Sequence, residues 1–476
     1  MPDLRRQVFE SGKTISRKAA SREGSRRTSR TASAQNSHQS SRNASRHPSD
    51  EEDSGNLSDE TALSIGSLDD LTDNPEVDNN NWTQELGDVI EDILDRKRSS
   101  VLSREECYAA FCRLLKCHYA EEHIRNRVND LLAAFYRSVK FESSVRETTL
   151  ALRALELLVI TAFDNSIYEN VEPILTRSIR DSTSTLVKAA AVHCLGACTL
   201  FGGAGEDGIL DQMTFLLDIA ASDGQSIDAA DDPTCVSAAL QEWGALAVEV
   251  EDLEGESEEA IQIFMDQLNS NESSVQIAAG ENIALLYEKS YTPQEDDEDV
   301  EENEDDSENE NLSERQGPKL IKRYDAYHDT HELGQQLQSL ATVHSKRISK
   351  RDKKSLHSNF ASIMTTVENP RRGPMYNTAI DQDTHRHYGS KLTVKIGRQG
   401  VMNIDRWWKW IRLNSLRRIL QGGFAVHYYQ GNRAVLDSLP VMVRQDTPAD
   451  RGAAKKTAKS RNSRRWAVHE QSDEDY

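Results

Sequence analysis

The sequence predicts an all-α protein: an armadillo- or HEAT-like helical solenoid with a small basic C-terminal unit, α+β or helical, and disordered tails at both ends. Three observations carry this prediction. From Trp82 to Tyr287 apolar residues recur at helical spacing, with almost no alternating, strand-like runs. Four segments within that span resemble one another at a spacing close to the 40–47 or so residues of HEAT and armadillo repeats. Charge is also segregated: residues 1–47 carry net +8, residues 48–318 net -44 and residues 319–465 net +18, so an acidic body adjoins a basic C-terminal third.

Residues 1–80 form the first element, a Ser/Arg arm that turns acidic. Six Ser-Arg dipeptides fall between Ser16 and Arg46, and no apolar periodicity precedes Trp82. Such a stretch buries too little to fold and is expected to be disordered. It reads either as a phosphorylatable arm that touches RNA or as a solvated tail. The opening MPDLRRQVFE has bases but no apolar core behind them, so no secretory leader is expected. The longest near-apolar run, Leu155 to Phe163, is well short of the roughly 18 residues of a membrane span. Six cysteines in 476 residues make no disulfide framework, which points to the cytoplasm or the nucleus.

Residues 81–345 form the solenoid. Ser103-Arg-Glu-Glu106 reads as a capping box that opens a helix carrying Tyr108, Phe111, Leu114 and Leu115, and Ser144-Val-Arg-Glu147 repeats the device. The related segments begin SSVRETT, TLVKAAA, TCVSAAL and SSVQIAA. Aligned on Val145, Val187, Val236 and Val275 they are 42, 49 and 39 residues apart. Each has a polar lead-in, a β-branched residue, a turn of small residues and then a larger apolar stripe. A helix pair cannot bury its own face, so neighbouring pairs must stack. Residues 291–318 interrupt the body as an acidic disordered loop, with 12 carboxylates and no base between Glu295 and Glu310.

Several residues invite chemistry without supporting it. Cys107, Cys112 and Cys117 are five apart, which on a helix turns successive thiols about 140° from one another. Cys194 and Cys198 share a face but sit in an Ala-rich stripe, where a small buried Cys is ordinary packing. His385, His387 and His427 lack a Cys or carboxylate at ligand spacing, and a surface or RNA-contacting role is preferred. Gly202-Gly203-Ala204-Gly205 follows a helix and lacks the Lys-Ser/Thr of a phosphate loop, so it reads as a helix end and turn. No catalytic, cofactor or metal site is predicted.

The basic third begins with residues 346–384, read as a basic linker. An amphipathic helix precedes it, with Leu333, Leu337, Leu340 and Val343. Lys346, Arg347, Lys350, Arg351, Lys353 and Lys354 make six bases in ten residues: an import signal, a phosphate-binding patch or a solvated run. Residues 385–440 form the small unit. Leu392, Val394 and Ile396 alternate as a strand, Gly397 and Gly400 bracket a turn, and Val401 to Ile404 return. Asn403 or Asp405 is expected to cap a helix that runs to about Gln421 and ends at Gly422-Gly423. Trp407, Trp408 and Trp410 are too many for so small a core. They are read as aromatic contacts to RNA bases or as docking residues on the solenoid. With Lys391, Lys395, Arg398, Lys409, Arg412, Arg417 and Arg418, the basic run completes the RNA- or ribosome-binding candidates. Residues 441–476 are a basic tail expected to be disordered.

Three segments carry a likeness: ELGDVIEDILDRKRSSVLSREECYAAFCRLL from Glu85, LATVHSKRISKRDKKSLHSNFASIMTTVEN from Leu340, and the strand-turn-Trp-helix unit from Leu392. With the repeats between them, the chain resembles the interferon-related developmental regulator family over about residues 82–440. The Ser-Arg arm and the basic tail lie outside that likeness. The resemblance implies that residues 81–345 are the family's armadillo-like N-terminal domain and residues 385–440 its C-terminal domain. It also implies no enzymatic activity and a regulatory role, either on translationally inactive ribosomes or as a transcriptional co-regulator. The expected partners are the ribosome and its RNA, or chromatin-associated regulatory proteins. No small-molecule substrate and no membrane are expected, and the chain is expected to be monomeric outside its complexes.

Overall fold

Periodic apolar stripes of this kind need neighbours to cover them, and the computed structural model shows how they find them. It describes residues 81–443 apart from 97–98, 163, 295–319, 343–349, 381–386, 391, 397–399 and 440–441. The described residues all lie in one compact unit. The expected disorder of residues 1–80, of most of the acidic loop and of residues 444–476 falls outside the described residues.

The body is a helical solenoid of paired helices. The pairs are α1 (Trp82–Leu94) with α2 (Val101–Cys117), and α4 (Val128–Phe141) with α5 (Val145–Ala162), the short α3 (Glu121–Ile124) lying between them. Next come α6 (Ile167–Asp181) with α7 (Thr185–Phe201), and α8 (Glu206–Ala221) with α9 (Pro233–Ala247). The last are α10 (Glu254–Gln267) with α11 (Ser273–Lys289), and α12 (Thr330–Ala341) with α13 (Lys350–Glu368). The second helix of each pair stacks on the second helix of the next, giving an inner row α2, α5, α7, α9, α11, α13. Val187, Val236 and Val275 are buried near the start of their inner helices, whereas Val145 stays exposed. Small residues set the spacing of the row. A Cβ on Gly196 of α7 would come within 2.1 Å of Glu242 on α9, and one on Gly244 within 2.1 Å of Asn282 on α11.

Local signals place the helix starts. Ser144 caps α5, its Oγ accepting from the Glu147 amide at 3.0 Å. Asp232 caps α9 with Pro233 at the first helical position, where a missing N–H costs nothing. The cap of α2 is not Ser103. Ser100, in extended backbone, accepts from the Ser103 amide at 3.1 Å, and the helix begins at Val101. Val101 and Leu102 continue a helix well enough for the earlier serine to take the cap.

Two expected boundaries shift. Tyr291–Pro293, expected to open the acidic loop, forms β1 and pairs antiparallel with β2 (Leu320–Lys322). This clasp brings the chain back to the solenoid. Residues 346–384 are not a linker throughout, because α13 buries Leu356, Phe360 and Ile363. Phe360 and Ile363 face Gly280 of α11, where a Cβ would lie 2.7 Å from Ile363. The solenoid therefore runs on to Glu368.

The C-terminal unit is α+β. β3 (Tyr376–Ile380) pairs antiparallel with β4 (His387–Ser390). β5 (Thr393–Ile396), β6 (Gly400–Asn403) and β7 (Met442–Val443) form an antiparallel sheet in that order, so the strands overrun 385–440 at both ends. α14 (Trp407–Leu420), α15 (Phe424–Tyr429) and α16 (Arg433–Ser438) complete it. α14 does not stand apart from the body. It crosses the inner row and touches α5, α9 and α11.

Candidate nucleic-acid interface and the buried seam beneath it

The basic residues fall into two environments. One is the seam between α14 and the inner row. Here an arginine-rich helix meets carboxylates held by three helices, α5, α9 and α11, and by the turn after α9. Arg418 lies 3.3 Å from Glu156 of α5 and 2.7 Å from Glu242 of α9. Glu242 also lies 2.7 Å from Nδ1 of His193 on α7, and burial holds that imidazole below its ordinary pKa. Arg153 of α5 pairs with Glu156 at 2.6 Å and donates to the carbonyl of Ile419 at 2.5 Å. Arg412 is buried against Glu249, and burial pulls its guanidinium down to about 10.

The start of α14 has no cap of its own. Arg406 stands at the cap position and its side chain caps no helix amide, so neither Asn403 nor Asp405 plays the expected part. Glu288 of α11 supplies the cap from across the interface. Its carboxylate accepts the Trp407 amide at 2.8 Å and the Trp408 amide at 3.1 Å. An unpaired helix N-terminus carries orphan donors and partial positive charge, and a carboxylate answers both. Burial raises Glu288 to about 7, against the pull of those amides, and raises Glu281 to about 7 as well.

Two of the three tryptophans dock. The Trp407 indole donates to Thr366 Oγ1 on α13 at 2.7 Å, and the Trp410 indole donates to Glu281 on α11 at 2.8 Å. Trp408 is half-buried, and the Lys409 ammonium sits 5.6 Å from its ring centre while pairing with Asp405. His427 is neither a surface nor an RNA-contacting residue. It is buried, with Nε2 2.7 Å from the Leu115 carbonyl of α2. Burial favours the neutral imidazole there. Just before it, Gly423 passes so close to α2 that a Cβ would lie 1.8 Å from the Lys116 carbonyl.

The second environment is the head of α13. The half-buried Lys353 and the exposed Lys354 line a shallow hollow there with His357 and Ser358. Neither lysine forms an ion pair with a described residue. Lys350 and Arg351 open the same helix, and Lys395 lies in β5. Lys346, Arg347, Lys391 and Arg398 lie outside the described residues. Arg417 is half-buried on α14. The structure thus divides the basic candidates: the buried Arg412 and Arg418 each pair with a solenoid carboxylate, exposed Glu249 for the first and buried Glu156 and Glu242 for the second, while Lys353 and Lys354 have no described carboxylate partner.

Sequence reasoning missed the solenoid's half of the seam, namely the acids Glu156, Glu242, Glu249, Glu281 and Glu288 with His193 beside them. The repeat frame held a signal for it. Glu242 and Glu281 occupy the same place relative to Val236 and Val275, and Glu249 and Glu288 share another place seven residues on. Seven residues are two helical turns, so each pair faces the same way.

His385 lies outside the described residues, and His387 falls in β4. Cys112, Cys194, Cys198 and Cys235 are buried free thiols, and burial pushes Cys112 and Cys235 up to about 12. Gly202 caps α7 and Gly203 turns with φ +88, as a helix end requires.

A family model for interferon-related developmental regulators matches residues 40–368. That is more than half of the chain. The protein belongs to the interferon-related developmental regulator family. The match ends where α13 ends, which agrees with a solenoid reaching Glu368. It also begins well before Trp82, so it takes in a stretch that the likeness read from sequence left out. An uncharacterized protein of Schizosaccharomyces pombe is 24% identical over 353 residues, covering 73% of this chain and 72% of its own length.

Proposed function

We propose that this interferon-related developmental regulator is a non-enzymatic scaffold that binds ribosomal RNA and holds ribosomes in a translationally inactive state. The observation that carries the reading is the head of α13. There the half-buried Lys353 and the exposed Lys354 stand on a helix at the end of a run of six bases, and no described carboxylate claims them. Cations fixed on a helix and left unpaired suit a phosphate backbone. The strongly acidic body repels nucleic acid elsewhere, so binding is confined to the basic third. Of the α14 cations, Arg412 and Arg418 serve to seat the C-terminal unit, which sets the geometry of the surface around it.

Sedimentation of the full chain on sucrose gradients of cell lysate tests this. Neutralising Lys346, Arg347, Lys350, Arg351, Lys353 and Lys354 to Gln is expected to release the protein from monosomes, with its thermal melting unchanged. Binding of the unaltered chain should weaken steeply between about 50 and 200 mM salt, because phosphate contacts release counterions. A chain that stays at the top of the gradient before and after the change, and accumulates in the nucleus only while the run is intact, would replace this reading. The protein would then be a nuclear co-regulator whose basic run is an import signal.

A further inference from the structure

Exposed large apolar residues are scattered on most surfaces, but here four of them gather on one edge of the first three repeats. Leu102 is 69% exposed, Phe141 65%, Leu186 58% and Val145 42%. Leu102 lies in the first turn of α2, Phe141 and Val145 flank the α4–α5 connection, and Leu186 lies in the first turn of α7. Polar contacts tie these helix starts side by side. Arg104 of α2 grips Glu147 of α5 through two bonds of 2.7 and 2.8 Å, and Ser144 donates to Glu105 at 2.6 Å. Ser182, before α7, donates to Glu142 at 2.6 Å. The four apolar side chains therefore form a row along adjacent repeats. Arg137, Lys140 and Arg146 are exposed on α4 and α5 nearby. Arg146 pairs with Glu105 at 3.7 Å, while Arg137 and Lys140 have no described carboxylate partner. An apolar row beside such cations marks a binding surface, and its chemistry asks for an acidic chain that carries aliphatic residues.

We propose that this edge is covered by the chain's own segment Leu57–Asp73. That segment offers Leu57, Leu63, Ile65, Leu68 and Leu71 together with Asp59, Glu60, Asp69, Asp70 and Asp73, and it contains no base. Its charge is opposite to that of Arg137, Lys140 and Arg146. Its position also allows it to reach. Trp82, where α1 starts, stacks on His118 at the far end of α2 with ring centres 4.4 Å apart, so a segment that covers this edge has the length of α2 to span. That helix has 17 residues, and at 1.5 Å per residue it is about 25 Å long. The residues from Leu71 to Trp82 span up to about 36 Å when extended. The family match already covers this segment, since it begins at residue 40.

A photo-crosslinking residue in place of Leu68 in the full chain tests the assignment, with the crosslinked peptides mapped by mass spectrometry. The expected result is crosslinking within one chain, to the starts of α2, α5 or α7, at a yield independent of protein concentration. Phe141→Glu combined with Leu186→Glu should cut that yield at least tenfold and leave the melting temperature in place, because both side chains are exposed. Crosslinks found only between two chains would make the edge a contact between copies and overturn the proposal. So would crosslinks to any other part of the solenoid, or a yield that the double variant leaves unchanged.

Discussion

The seam under α14 and the head of α13 carry the same kind of side chain in opposite states. Arg412 and Arg418 are buried, the first against Glu249 in the turn after α9 and the second against Glu156 and Glu242 of the inner row. Lys353 and Lys354 meet solvent with no described partner. A cation taken out of water costs several kcal/mol, roughly, unless it is paired, and then it is fixed in place. A cation left in water keeps its charge for a polyanion. Basic composition alone therefore does not identify a nucleic-acid site. The deciding fact is whether the fold places a carboxylate opposite, and among the described residues the repeats place one opposite α14 and none opposite the head of α13.

Several changes would break or sharpen this contrast. The largest effect is expected from Arg418→Met. It leaves Glu156 and Glu242 without their shared cation and should lower stability by about 3–5 kcal/mol, read from chemical denaturation. If the loss is below about 1 kcal/mol, the seam does not hold the unit in place. Trp407→Ala removes an indole buried between α14 and α13 and should cost about 3 kcal/mol or more, with the loss of cooperative melting of the C-terminal unit as a second sign. Glu288→Ala strips the α14 amides of their cap, at a cost of about 1–2 kcal/mol.

The pH dependence has a defined direction. Glu281 and Glu288 are raised to about 7 from an ordinary 4.5, so the folded chain holds their protons more tightly than the unfolded chain does. Their stabilising contribution is complete below about pH 4.5 and declines as pH rises to about 7. Thermal melting of the unaltered chain should therefore fall between pH 5 and 7.5 more than that of a Glu281→Gln, Glu288→Gln variant. An identical fall in both would remove these two groups as the cause. The smallest effect on stability is expected at the exposed cations. Lys353→Gln with Lys354→Gln should change stability by less than about 0.5 kcal/mol while weakening RNA binding and flattening its salt dependence, as followed by fluorescence anisotropy with an rRNA fragment.

Much of the fold was legible because it is periodic. Val145, Val187, Val236 and Val275 mark the starts of inner helices. The strand pair 393–396 and 400–403 and the helix ending at Leu420 follow from alternation, turn glycines and a glycine stop. What was not legible is the pairing between distant parts. Glu288 looks like any solvent-facing acid at the end of a helix until α14 arrives 119 residues later to be capped. His427 looks like a surface residue until α15 sets it on the Leu115 carbonyl. The reading of 346–384 as a linker failed for a related reason. Its basic head hid the Leu356, Phe360 and Ile363 stripe that packs α13 on α11, and that stripe makes sense only once the acidic interruption is bridged by β1 and β2. Position within the repeat was the available clue, since the seam acids recur at equivalent places in α9 and α11.

The most direct test of this division is hydrogen exchange of α14 in the full chain, alone and bound to ribosomes. The account predicts that amides of residues 407–420 are protected as strongly as those of α11 in the free protein and remain so on binding, while the head of α13 gains protection. Fast exchange of α14 in the free chain, or its release on ribosomes, would show that its arginines are available to RNA and would contradict the account.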